Sequence, residues 1–189
     1  MLELVNNWEV FGLDNSIRAS KYPKSTNVEA CTAEITKTTR QLAGCPTGTG
    51  HDQFLTGIIV QFDLAFTIKA WTEAERYHFF DFVSSQSTMH MISEFDIEEQ
   101  CNEYVHFGII SIVNALLDCY KDNPTPENYL RLLYNVPVGF RLTARMTTNY
   151  RQLKTIYQQR KNHRLPEWRE FCQWIKTLPE HELITGKDG

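Results

Sequence analysis

The chain has 189 residues, 42% of them hydrophobic and 22% charged, with nine glycines and seven prolines. That length suits one domain with a sizeable core, and that composition excludes the disordered, collagen-like and disulfide-scaffold classes. No apolar run approaches the roughly 20 residues of a membrane helix, Met1-Leu2-Glu3 starts no basic-then-apolar leader, and a net charge of -4 gives no general attraction to nucleic acid; a cytoplasmic protein with neither membrane nor nucleic-acid partner is expected.

In chain order, Val28, Cys31, Ile35, Thr38 and Leu42 fall at three- and four-residue steps and predict a helix from Asn27 to about Leu42, with Gly44 as C-cap. Ile58, Val60, Phe62, Leu64 and Phe66 alternate with Ile59, Gln61, Asp63, Ala65 and Thr67, the pattern of a strand with one buried face. Helical character resumes from Trp71 to Phe79. A longer helix is expected from Ile97 to Tyr120, with Cys101, Tyr104, Gly108, Ala115 and Cys119 on its buried side and Asp122-Asn123-Pro124 as its stop. Thr125 and Pro126 open a helix with Tyr129, Leu132, Leu133 and Val136 inward. Asn149 caps another, to about Asn162. Pro166 opens the last, where Trp168, Phe171, Cys172 and Ile175 repeat at i, i+3, i+4, i+7. Thr185 to Gly189 reads as a frayed tail. Without repeats or linkers, residues 1–189 form a single domain of mixed α/β class, helix-rich with few strands.

Cys31, Cys45, Cys101, Cys119 and Cys172 are odd in number and include no C-x-x-C pair, so reduced thiols are expected and neither a disulfide framework nor a metal site. Charge is unevenly distributed. Between Arg141 and Arg169 stand eight Lys/Arg against the single acid Glu167. Such a stretch serves either an anion site or a solvated face pairing with acids elsewhere, and composition leaves both open. On the helix after Asn149, Leu153 and Ile156 mark the apolar face, and Arg160, seven residues beyond Leu153, is turned only about 20° from it. A guanidinium aimed at the core needs a partner, either a carboxylate or an anionic or carbonyl-rich ligand.

Thr147-Thr148-Asn149-Tyr150-Arg151-Gln152-Leu153, then Arg160, then Pro166-Glu167-Trp168-Arg169-Glu170, resembles the C-terminal motif of flavin-dependent thymidylate synthases, where T-x-N-x-R-x-L leads to an arginine that contacts the pyrimidine. Val136-Pro137-Val138 is similar to the turn before that motif. Gly50-His51 resembles the family's nucleotide- and flavin-contacting loop, Arg76-Tyr77-His78 stands where the family has R-H-R, and Ile17-Arg18-Ala19-Ser20 is similar to an N-terminal V-R-A-A-R segment. The order is kept over residues 1 to 175. Departures fall on the signature: Ser87 arrives after one extra residue, Met89 replaces its last arginine, Tyr77 and His78 replace groups used around the flavin, and Thr56 replaces a glutamate. Methionine cannot supply a bidentate clamp.

The resemblance implies an α+β domain with a small, mostly antiparallel sheet, assembled as a homotetramer with sites between subunits. It implies reductive methylation of deoxyuridylate (dUMP) with methylenetetrahydrofolate as carbon donor, FAD as cofactor and NADPH as reductant. Arg160 and Ser87 would be catalytic. Substrate would be held by Arg160, Arg76, Gln86 and Ser87, and cofactor by His51, Arg76, His78, Asn149 and Arg151. Apart from that resemblance, Ser84 to Ser87 read equally as a polar turn, His51, His78 and His90 as ordinary histidines, and Tyr77, Phe79, Phe80 and Phe82 as core. Three functions stay open: a flavin enzyme on deoxyuridylate, a related transferase on another pyrimidine nucleotide, and a binding protein that has lost flavin.

Overall fold

The alternation from Ile58 to Thr67 produces strand β2 (Ile59–Thr67), on which Val60, Phe62, Leu64 and Phe66 have no exposed surface. The chain is described here by a computed structural model covering residues 3–186; Met1, Leu2 and Lys187 to Gly189, the end of the expected frayed tail, lie outside the described residues. β4 (Arg141–Asn149) runs antiparallel beside β2, with Met146 opposite Phe62 and Ala144 opposite Leu64, so one continuous apolar face forms across both strands. β1 (Val5–Phe11) and β3 (Asp81–Ser85) complete a four-stranded antiparallel sheet in the order β1-β2-β4-β3.

Helix α8 (Tyr150–Arg160) continues directly from β4, and α9 (Pro166–Ile175) lays Trp168, Phe171, Cys172 and Ile175 against the sheet. The Phe62 ring lies 5.7 Å from Phe171 and 4.7 Å from Trp174, and Phe66 meets Trp168 edge-on at 4.8 Å. Burial pushes the Cys172 thiol up to about 12, which keeps it protonated. All five cysteines are free thiols. A second core gathers Ile92, Ile97, Val113, Leu117, Leu132 and Phe140 beneath α5 (Ile97–Gln100), α6 (Phe107–Asp122) and α7 (Pro126–Tyr134). The remaining helices are α1 (Leu13–Ala19), α2 (Lys37–Ala43), α3 (Ile68–Ala74), α4 (Thr88–Met91) and α10 (Glu182–Thr185). Among the described residues, no helix is long and apolar enough to cross a membrane.

Several expectations are corrected. The helix expected from Asn27 to Leu42 is a 3-10 turn, Val28–Ala30, then extended chain, then α2. Arg18 Nε and Lys21 Nζ take the carbonyl oxygens of Cys31 and Thr32 that a helix would have used, and the Thr36 side chain caps α2 instead. The expected helix over Trp71 to Phe79 ends at Ala74, and the polar turn expected at Ser84 to Ser87 begins within strand β3. The expected helix from Ile97 to Tyr120 breaks at Cys101, where Asn102 N donates to Gly139 O, and restarts when His106 Nδ1 accepts from Gly108 N at 3.1 Å. Its register also differs: Val113 and Leu117 face inward, whereas Tyr104, Ala115 and Cys119 are exposed beside Phe107 and Ile112.

Two local features shape the frame. Gly12 has φ 74°, and a Cβ there would meet Gly57 O at 2.5 Å, so α1 touches the 3-10 turn Gln53–Gly57 backbone to backbone. In β1 the register slips between Asn6 and Glu9, and Asn7 takes φ 49°. Asn7 Nδ2 donates to Asp63 at 2.7 Å, while Arg145 Nη1 donates to Asn7 O at 2.5 Å and pairs with Asp63 at 3.4 Å. Replacing Phe62 with Ala is expected to cost about 3 to 5 kcal/mol through lost burial and the cavity left in the aromatic layer, read as a lower urea midpoint at unchanged slope.

Candidate functional site

Most of the residues singled out by sequence sit at the two ends of α8. At its start, Asn149 Oδ1 accepts from Gln152 N at 2.9 Å and caps the helix, which places Arg151 in the first turn. Arg151 Nε donates to Asp52 Oδ1 at 3.0 Å and Nη1 to Gln53 Oε1 at 3.0 Å. Asp52 is fully buried, and its other oxygen accepts from Lys154 Nζ at 2.9 Å. The same ammonium donates to Ala43 O at 2.6 Å and Cys45 O at 2.5 Å, so all three of its protons are placed. Gly50, at φ 80°, turns the chain just before this cluster, and the adjacent His51 is exposed.

His51, Gly50 and Gln53 line a cavity of about 790 Å³ together with Ser20, Lys21 and Lys24, so the N-terminal Arg-Ala-Ser segment and the Gly-His loop, separate in sequence, share one recess. Nδ2 of Asn149 and Nη2 of Arg151 make no hydrogen bond among the described residues.

At the other end of α8, Arg160 faces inward and is 7% exposed. Nε donates to Tyr77 Oη at 2.6 Å, and Tyr77 in turn donates to Gln159 at 3.0 Å. Nη1 reaches His163 Nε2 at 2.7 Å and Glu73 Oε2 at 3.4 Å, while the guanidinium carbon stands 5.0 Å from the Trp168 ring and 5.4 Å from that of Tyr77. The partner that an inward arginine requires is thus supplied by the protein, and Arg160 does not by itself demand a ligand. Glu73 also pairs with Lys69 at 2.9 Å and Arg76 at 3.5 Å. Three cations therefore share one carboxylate. The hydrogen bond from Lys69 holds the Glu73 carboxyl below its ordinary range; burial first, and the Arg160 charge second, lower His163.

Arg76 joins Arg160 at Glu73 and Tyr77 accepts from the Nε of Arg160, but His78, Gln86, Ser87 and Met89 stand apart from that cluster. His78 is exposed and packs on the Phe79 ring at 4.7 Å. Gln86 prolongs the pairing of β3, its backbone N–H donating to Thr143 O at 2.9 Å and its side-chain Oε1 accepting from Thr143 N at 2.8 Å; Ser87 follows at the start of α4, with Met89 exposed beyond it. Arg151 and Arg160 are nine residues apart, about 14 Å along a straight helix, so these two arginines, which the resemblance implies for cofactor and substrate respectively, stand at opposite ends of α8. Of the eight basic residues from Arg141 to Arg169, five form ion pairs among the described residues: Arg141, Arg145, Arg151, Lys154 and Arg160.

Sequence reasoning missed Asp52, Lys154, Glu73, Lys69 and His163. Lys69, Glu73 and Arg76 at four- and three-residue steps were readable as a helical charge cluster, but nothing local tied them to an arginine 87 residues further on. A buried lysine carries no periodic signal, because Lys at a helix edge is ordinarily solvated.

A small antiparallel sheet entered from one side by a helix that continues its central strand, with a tryptophan helix packed across it, is the fold of flavin-dependent thymidylate synthases. The flavin-dependent thymidylate synthase ThyX from Helicobacter pylori, in complex with FAD and dUMP, matches with a TM-score of 0.73 at 14% identity over 98% of this chain and 99% of that one. A second structure of thymidylate synthase X from Helicobacter pylori, with FAD and dUMP, gives 0.70 at 13% identity over 98% and 96%. No protein-family model and no curated protein matches the sequence.

Two outcomes test the networks. Asp52→Ala leaves Lys154 and Arg151 uncompensated and is expected to cost about 3 to 5 kcal/mol, measured by urea unfolding. Burial holds the folded pKa of His163 below the ordinary histidine value of 6.5, so its contribution to stability is complete above that pH and is lost as pH falls through it toward the lower folded value. The melting temperature of His163→Gln is expected to fall less than that of wild type between pH 7 and pH 5 (roughly the window in which histidine titrates).

Proposed function

We propose that the chain is a pyrimidine-nucleotide one-carbon transferase: it binds deoxyuridylate, or a near relative of it, at the Arg160 end of α8 and uses FAD in methylating it. The observation that carries the nucleotide reading is that Lys69, Arg76 and Arg160 converge on Glu73 alone. Three guanidinium or ammonium groups around one carboxylate leave two positive charges in excess, which suits a phosphate. Arg160, stacked on Trp168 and fixed by Tyr77, is preorganised to stabilise negative charge developing on a pyrimidine ring, a task typically worth about 3 to 4 kcal/mol for one well-placed donor. Arg76 holds the phosphate in this reading, while Gln86 and Ser87, for which the resemblance implies the same role, stand apart from it within one chain.

The residues present fit a phosphate-bearing cofactor. His51 opens onto a cavity that also presents Ser20, Lys21 and Lys24, and Asn149 and Arg151 keep one donor nitrogen each beyond those fixed by the protein. His51, Asn149 and Arg151, with His78 and Arg76, would hold FAD. When bound, FAD supplies the hydride that completes the methyl group, with methylenetetrahydrofolate as carbon source and NADPH as reductant. The separation of the two ends of α8 favours a site completed by a neighbouring subunit, in keeping with a homotetramer, and the exposed Phe107, Ile109 and Ile112 on α6 offer apolar surface to bury in such an assembly.

A second reading, a nucleotide-binding protein without flavin, is favoured by Met89, which stands exposed where the resemblance calls for an arginine. A visible spectrum of the purified protein separates the two: absorbance at about 450 nm, retained or restored by added FAD, supports the enzyme, and a colourless protein that refuses FAD yet binds dUMP in a calorimeter supports the binder. Arg160→Ala is expected to abolish dUMP binding under either reading. Unchanged affinity would overturn the placement of the nucleotide at that end of α8.

A further inference from the structure

A second cavity, of about 740 Å³, lies on the far side of α2 between α8 and α10. Its size is that of a small-molecule site. α2 is the wall between the two recesses: Lys37, Arg40, Gln41 and Gly44 line this one, whereas Thr36, Thr38, Thr39 and Leu42 line the one that His51 opens onto. We infer that this second cavity binds a small organic anion, a phosphate or carboxylate head on an apolar body, independently of the nucleotide proposed for the other end of α8.

Charge supports the head group. Four charged side chains line the cavity, the cations Lys37, Arg40 and Lys154 and the acid Glu182. Lys154 shares Asp52 with Arg151 and has all three protons placed on protein oxygens, so the charge left to meet a ligand is that of Lys37 and Arg40 against Glu182. Arg40 Nη1 pairs with Glu182 from α10, and Lys37 makes no ion pair among the described residues. One positive charge is therefore in excess at a recess that water shares with a nonpolar floor, where an anion gains more from a cation than at an open surface. Ala43, Leu183 and Ile184, all buried, supply that floor, and Gln41 and Gln158 add amide donors at its sides.

The cavity is also tied to the helix start. Lys154 lines it and donates to Asp52, whose other oxygen holds Arg151. A ligand seated against Lys154 is thus two polar contacts from Arg151.

The test is a titration of the full chain with phenyl phosphate and, separately, benzoate, followed in amide spectra at Gly44 and Gly186, both on the cavity wall. Saturable shifts at these two glycines are expected, with affinity about tenfold weaker in Lys37→Ala/Arg40→Ala and severalfold tighter in Glu182→Gln, in line with the worth of single exposed charges. Response to one probe alone assigns the head group as phosphate or carboxylate. Because Arg40→Ala and Glu182→Gln break the same ion pair, a purely structural effect would weaken both. Opposite signs are the mark of charge recognition. No shift with either probe, or equal affinity in all variants, overturns the proposal.

Discussion

The carboxylate of Asp52 has no exposed surface, and taking such a group out of water costs several kcal/mol unless cations and donors meet it with good geometry. Both cations come from one helix, Arg151 from the first turn of α8 and Lys154 from the second. That fixes the rotation of α8 against the loop that carries His51. Lys154 then spends its remaining protons on the carbonyls of Ala43 and Cys45, which pins the end of α2 to the same point. Everything at the other end of the helix inherits this setting, because a straight helix transmits both rotation and rise: once Arg151 is placed, Arg160 emerges beside Trp168 and over the end of α3.

The parts of this arrangement that sequence made legible are those with a local cause. β2 declares itself by alternation, α7, α8 and α9 by their Thr125, Asn149 and Pro166 starts, and the apolar face of α9 by its spacing. β4 did not, although Leu142, Ala144, Met146 and Thr148 alternate with Arg141, Thr143, Arg145 and Thr147. Its outward basic residues read as part of a charged stretch, and only the opposing Asp63, placed by β2, turns Arg145 into a strand residue with a cross-strand partner. α6 was misread for a related reason. Small and aromatic residues at helical spacing mark an apolar face, but not whether that face meets this chain's core or lies outside it.

The site was legible in the same uneven way. That Arg160 points inward follows from helical geometry alone, and the structure agrees. Which partner it meets does not follow, since Tyr77 and Glu73 arrive from a helix and turn more than 80 residues earlier. Tyr77 occupies the centre of the degenerate signature, and its hydroxyl is the acceptor that orients the arginine. A position at which the sequence differs from the motif it resembles thus supplies part of the support for Arg160.

The slip in β1 bears on how copies of this chain can associate. With Asn7 in a left-handed conformation and its carbonyl already claimed by Arg145, the outer rim of that strand does not present the regular row of donors and acceptors that an incoming strand would need. Fibre-like growth from that side is disfavoured from within the monomer. The opposite edge of the sheet, β3, is exposed along its length, so main-chain pairing with an added strand is left to that side.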